Sequence, residues 1–131
     1  MNKRTKTPDL ADLFSALADP TRLRLLNLMN GREVCVCYFV EILKQPQPKI
    51  SRHLAYMRRM GIVSARRDGK WMHYSITQPK DKAAGVVLDN ALAVLSDKRE
   101  MKADVALLSR ACCTPERFQL AGAPVPCDAV V

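Results

Sequence analysis

Long apolar runs are missing from this chain of 131 residues. None approaches the roughly eighteen apolar residues of a bilayer-crossing helix, so no membrane span is expected. The start, MNKRTKTPDL, is basic but has no apolar stretch behind it, so a secretory signal is not expected either. Histidine is scarce, with only His53 and His73. No Ser/His/Asp set, no paired catalytic carboxylates and no phosphate-binding loop can be picked out, which argues against an enzyme. Acidic residues are also few, 13 against 21 Lys and Arg, leaving a net charge of +8. The five cysteines are odd in number and come without a secretion signal, so they read as thiols in a reducing cytoplasm rather than as a disulfide framework.

The excess charge is concentrated. Between positions 46 and 80 lie Lys49, Arg52, Arg58, Arg59, Arg66, Arg67, Lys70 and Lys80 against a single Asp68, a local charge of +7. A solvated charged face is one reading of such a cluster, and a polyanionic partner is the other. The arrangement of elements decides between them.

Leu10, Leu13, Phe14 and Leu17 recur at helical spacing and make one amphipathic stripe. A second helix is expected from about Pro20 to Asn30. Asp19 can cap it, Pro20 suits its first turn, and Gly31 can take the left-handed position beyond its end. EVCVCYFVEIL begins with strand-favouring residues and continues as a short helix from about Cys37 to Lys44. QPQPKISRHLAYMRRMG forms a fourth helix, with Ile50, Leu54 and Met57 on one face and Lys49, Arg52, His53, Tyr56 and Arg59 elsewhere. Two strand-like runs then flank Asp68-Gly69, a strong hairpin signal. In the second run Met72, Tyr74 and Ile76 alternate with Trp71, His73 and Ser75, so one set can be buried and the other wet. One long helix is expected over about 81–108. Its apolar positions cover two sides, which suits contact with its own domain and with a second subunit. The organisation expected is a flexible N-terminus over 1–8, one domain over 9–110, and a cysteine-containing tail over 111–131.

Two short helices joined by a tight turn, the second basic, followed by a basic-tipped hairpin, read as a winged helix-turn-helix. The fold class is mainly α with a small β-hairpin, dimeric. Such a recognition helix enters the major groove of double-stranded DNA. Gln47 suits adenine and Arg52 suits guanine, each in bidentate fashion. Lys49 and Ser51 suit phosphate, with Ser51 also able to meet a base. Tyr56 suits phosphate or sugar. His53 is either a structural hydrogen-bonder or a reader. Arg66, Arg67 and Lys70 at the hairpin tip suit backbone phosphate or the minor groove.

Cys35 and Cys37 start the third helix, where the helix dipole favours thiolate. Thiolates suit soft, thiophilic ions, and Cys112, Cys113 and Cys127 supply more sulfur. Buried, inert cysteine is the plainer alternative.

The segments ALADPTRLRLLNLM, EVCVC and QPKISRHLAYMRRMGIVSARRDGKWMHYSI together resemble the ArsR/SmtB family of metal-responsive repressors, over about residues 9–96. The resemblance implies a cytoplasmic homodimer that joins through its first and last helices, binds operator DNA, and lets go on binding an inducer. EVCVC resembles the family's arsenite-sensing signature, which implies Cys35 and Cys37 as ligands for As(III) or Sb(III). The family's third cysteine falls where this chain has Val40. A third thiol is then expected from Cys112 or Cys113, and those two with Cys127 form a rival site in which Cys127 is more plausibly an inert tail thiol. The family's zinc sensors carry Asp and His ligands on the last long helix, and no histidine falls there in this chain. A Cd(II) or Pb(II) thiolate site, or a metal-free thiol redox switch, are the remaining alternatives.

Overall fold

A computed structural model describes residues 9–113. The expected N-terminal arm over 1–8 and the tail from 114, with Cys127, lie outside the described residues, as do the side chains of Cys112 and Cys113. Six helices and three strands follow in the order α1 (Leu10–Leu17), α2 (Pro20–Leu28), β1 (Val34–Cys35), α3 (Val36–Leu43), α4 (Gln47–Arg59), β2 (Val63–Asp68), β3 (Trp71–Ile76), α5 (Lys82–Ser96) and α6 (Arg99–Cys113). No described helix is long and apolar enough to cross a membrane.

Local chemistry accounts for most boundaries. Asp9 and Asp19 cap α1 and α2 by accepting from the amides of Asp12 and Arg22, at 2.8 and 3.1 Å. Pro46 is the cap residue of α4 and Pro48 sits in its first turn, where a missing N–H costs nothing. Lys44 ends α3 in the left-handed region at φ 57°, a conformation more often given to glycine. Fully buried Leu25, Leu26, Leu28, Phe39, Ile50, Leu54 and Met57 join the α2, α3 and α4 faces into one core.

Two expectations need correcting. The long helix over 81–108 is two helices, broken at Asp97 and Lys98. A straight rod of that length would run about 45 Å, well past so small a core. By folding back, α6 instead buries Met101, Leu108 and Ala111 within its own chain. Asp104 fixes the return by taking a two-pronged hydrogen bond from Arg24 at 2.8 and 2.9 Å, and Asn27 donates to the Met101 carbonyl at 3.1 Å.

The second correction concerns the hairpin. Asp68 pairs with Trp71, so the two-residue loop is Gly69-Lys70 rather than Asp68-Gly69. Gly69, at φ +62°, takes the first loop position, where a side chain is disfavoured. Alternation in β3 leaves open which of its two sets is buried, and His73 is the residue there with only 5% exposure. The sheet has three strands in the order β1-β3-β2, so β3 is central, and Cys35 of β1 pairs with His73.

Large exposed apolar side chains cluster on two helices. Leu10 and Phe14 of α1 are 38% and 55% exposed, and Val86 and Val94 of α5 are 59% and 60% exposed.

Leu54→Ala removes a fully buried side chain from the inner face of α4. It is expected to cost about 2–5 kcal/mol in chemical denaturation, against about 0.5 kcal/mol or less for Arg58→Ala on the outer face.

Candidate DNA-reading head and thiol site

Helix α4 divides cleanly into two faces. Ile50, Leu54 and Met57 point into the core, while Gln47, Lys49 and Arg52 are exposed and Ser51, His53 and Tyr56 are half-buried. None of the six expected DNA-facing residues of this helix is buried in the core. Two of them are tied to α2. The guanidinium of Arg22 stands 4.5 Å from the centre of the Tyr56 ring, and its Nη1 lies 3.3 Å from Nδ1 of His53. Arg59 also faces that ring, at 6.0 Å. Burial lowers the pKa of His53, opposed by Asp19 and reinforced by Arg22, Lys49 and Arg52.

At the wing, Arg66, Arg67 and Lys70 are exposed, as expected for phosphate contact. Arg67 bends back to the Gly69 carbonyl at 3.4 Å, and the Lys70 ammonium sits 5.1 Å above Trp71. Arg66 is engaged differently. It forks onto Glu33 with contacts of 2.7 and 3.0 Å, fastening the wing to the residue just before β1. Part of its charge is thereby spent within the chain.

The thiol pair lies where β1 becomes α3. Cys35 is fully buried and Cys37 half-buried, both as free thiols, and the Cys37 Sγ donates to Cys35 Sγ at 3.2 Å. That contact draws the Cys35 pKa down from 9.0 to about 7, against the opposing effect of burial. The backbone N–H groups of Cys37, Val36 and Met72 add to the lowering, although none makes a capping hydrogen bond of good geometry. The same contact and burial push Cys37 up. The first proton to leave the pair is thus that of Cys35, while Cys37 keeps its own.

The spacing suits one ion held by both sulfurs. Metal–sulfur bonds of about 2.3 Å at a tetrahedral angle keep two sulfurs roughly 3.8 Å apart, and a pyramidal ion with narrower angles keeps them closer. Among the described residues no group of three or more His, Cys, Asp or Glu stands ready to hold a metal ion. Helix α6 packs its C-terminal half, through Leu108 and Ala111, into the core that also holds α3, and it ends at Cys112 and Cys113.

Three contacts escaped sequence reading. Arg22 reaches His53 and Tyr56, Glu33 holds Arg66, and His73 sits opposite Cys35. Each joins residues remote in sequence, and helical or strand periodicity carries no record of such pairs.

Comparison with known proteins agrees with this geometry. The family described as bacterial regulatory protein, arsR family, matches residues 19–65. The chain is 40% identical over 103 residues to the arsenical resistance operon repressor of Escherichia coli K12, covering 78% of this chain and 86% of that one. It is 46% identical over 70 residues to a probable mercury resistance operon repressor of Streptomyces lividans, covering 53% of this chain and 56% of that one. Among solved structures, HlyU from Vibrio cholerae N16961 matches with a TM-score of 0.57 at 24% identity, over 64% of this chain and 88% of that one, a likeness of fold.

Cys37→Ala is expected to return the Cys35 pKa from about 7 toward the ordinary thiol value. Ultraviolet thiolate absorbance, followed with pH in a background where Cys112, Cys113 and Cys127 are serine, measures the shift.

Proposed function

The chain belongs to the arsR family of bacterial regulatory proteins, DNA-binding transcriptional repressors rather than enzymes, and from that premise we propose that it is a metalloid-responsive repressor released from its operator by As(III) or Sb(III). It works in the reducing cytoplasm as a homodimer. Leu10 and Phe14 of α1 with Val86 and Val94 of α5 supply the apolar face for a second copy, because α6 has turned its own apolar residues inward.

In the ion-free dimer each α4 lies in a major groove, the two about one helical turn of DNA apart. Gln47 and Arg52 read base edges, Ser51 and His53 contact base or phosphate, and Lys49 and Tyr56 hold the backbone. Arg67 and Lys70 bring the wing onto phosphate, with Arg66 oriented by Glu33.

The observation that carries the inducer reading is the 3.2 Å thiol pair at the junction of β1 and α3. Cys35 offers a thiolate at neutral pH, and Cys37 gives up its proton when it ligates. A third thiol comes from Cys112 or Cys113 at the end of α6, in place of the cysteine that Val40 replaces. Drawing Cys35 and Cys37 onto one ion shifts the start of α3, which packs on α4, and strains β1, which is paired to β3 of the wing. Both contacts with DNA are displaced together. A hundredfold loss of operator affinity requires only about 2.7 kcal/mol of coupling.

A second reading is favoured by the same low-pKa thiolate. The Cys35 thiolate would attack a peroxide-class oxidant, releasing water or an alcohol, and Cys37 would then join Sγ to Sγ and release water, with one proton from Cys37 and one from solvent. Cd(II) or Pb(II) are the other candidate inducers.

Cys35→Ser and Cys37→Ser are expected to keep affinity for a duplex selected from random DNA by the reduced wild-type protein, yet to lose release by arsenite under strong reductant. Mobility-shift titration measures both. Normal release of both variants would remove the site assignment, and release of the wild type only on oxidation would favour the redox switch. In the same assay Lys49→Ala, which removes one phosphate contact from each subunit of the dimer, is expected to lower the slope of log affinity against log salt by about 1.8.

A further inference from the structure

Arg22 stands where three helices meet. Its Nε donates to the Ala16 carbonyl at 2.9 Å and its Nη2 to the Ser15 carbonyl at 3.1 Å, both near the C-terminal end of α1. The Ser15 carbonyl also accepts from the Ala18 amide at 3.2 Å, and carbonyls at a helix C-terminus carry partial negative charge, so a guanidinium is well placed there. Asp19 accepts from the backbone amide of Arg22 at 3.1 Å and so fixes the root of the side chain. The remaining branch, Nη1, lies 3.3 Å from Nδ1 of His53, with Tyr56 beneath the guanidinium.

The chemistry of this contact sets the state of the histidine. A guanidinium has five N–H donors and nothing to accept with. Nδ1 of His53 is therefore the acceptor and bears no hydrogen. A neutral ring then holds its single proton on Nε2, the nitrogen remote from Arg22. Burial, with Arg22, Lys49 and Arg52 around it, favours the neutral ring over the cation, against Asp19.

We propose that Arg22 is a positioning residue of the reading head: it holds His53 as an Nε2–H donor and clamps the Tyr56 ring, so that α4 meets DNA with one fixed hydrogen-bonding pattern. The proposal rests on the DNA-reading role given above. A donor-only Nε2–H selects acceptors, which in the major groove are the N7 of a purine, the O6 of guanine or the O4 of thymine. Cytosine N4 presents a donor to the same position and is rejected. His53 thus acts as a reader whose polarity is set by a residue on another helix. Because Arg22 is anchored on α1, the clamp also ties the reading helix to the helix that carries exposed Leu10 and Phe14.

Arg22→Lys keeps the charge but cannot span three partners at once, and Arg22→Ala removes all of them. Nitrogen-15 NMR of the free wild-type protein is expected to show His53 as the Nε2–H tautomer, and Arg22→Lys to show a mixture. On the selected duplex, Arg22→Lys is expected to bind roughly tenfold more weakly while circular dichroism retains the folded spectrum. In a His53→Ala, Tyr56→Leu background the same substitution should cost little more, because Arg22 acts through those two rings. An Nδ1–H tautomer in the wild type, unchanged affinity of folded Arg22→Lys, or full additivity in the cycle would each overturn the proposal. Failure of the wild type to select any duplex would instead sink the DNA-reading role, and the tautomer measurement would still decide whether Arg22 sets the histidine.

Discussion

The antiparallel pairing of Val34 and Cys35 with Tyr74 and His73 is a short ladder, yet the placement of the thiol site depends on it. It turns a two-strand hairpin into a three-strand sheet and makes β3 central. It buries Cys35 and fixes the direction in which α3 departs, since the helix starts at the next residue. Cys37 then falls two residues along, in the first turn of α3, with its sulfur against that of Cys35. Glu33, just ahead of the ladder, reaches Arg66 on the wing and adds an ionic tie beside the backbone one. The thiol pair is consequently attached to both elements of the proposed reading head, to α4 through helix packing and to the wing through β1.

This arrangement suits a switch that must act through small displacements. Packed cores are bistable rather than freely deformable, so a shift at the start of α3 is passed on rather than absorbed. The head itself is held from behind by α2, whose Arg22 engages α1 and α4 together. On α4 His53 and Tyr56 are half-buried, while Gln47, Lys49 and Arg52 are exposed to solvent.

Much of this was legible in the residues. The Ile50, Leu54, Met57 spacing gave the buried face of α4, and Asp19-Pro20 gave the start of α2. The basic hairpin and the thiol pair also followed from local chemistry, and local chemistry is what sequence pattern records. The break at Asp97 and Lys98 was hidden, because neither glycine nor proline marks it. Only tertiary contacts, Arg24 with Asp104 and Asn27 with Met101, require the chain to turn back. The burial of His73 was left open for a related reason. Alternation shows that a strand has two faces but not which one a third strand will cover. The hairpin loop was one residue off, because Asp-Gly and Gly-Lys both offer turn chemistry and pairing register chooses between them.

The account turns on a free-energy link between the thiol pair and DNA, and such a link runs in both directions. Calorimetric titration of the reduced dimer with arsenite, alone and saturated with its duplex, tests it most directly. The account predicts weaker arsenite binding to the DNA-bound dimer, by the same factor by which arsenite weakens DNA binding. Equal arsenite affinity in the two titrations would contradict it.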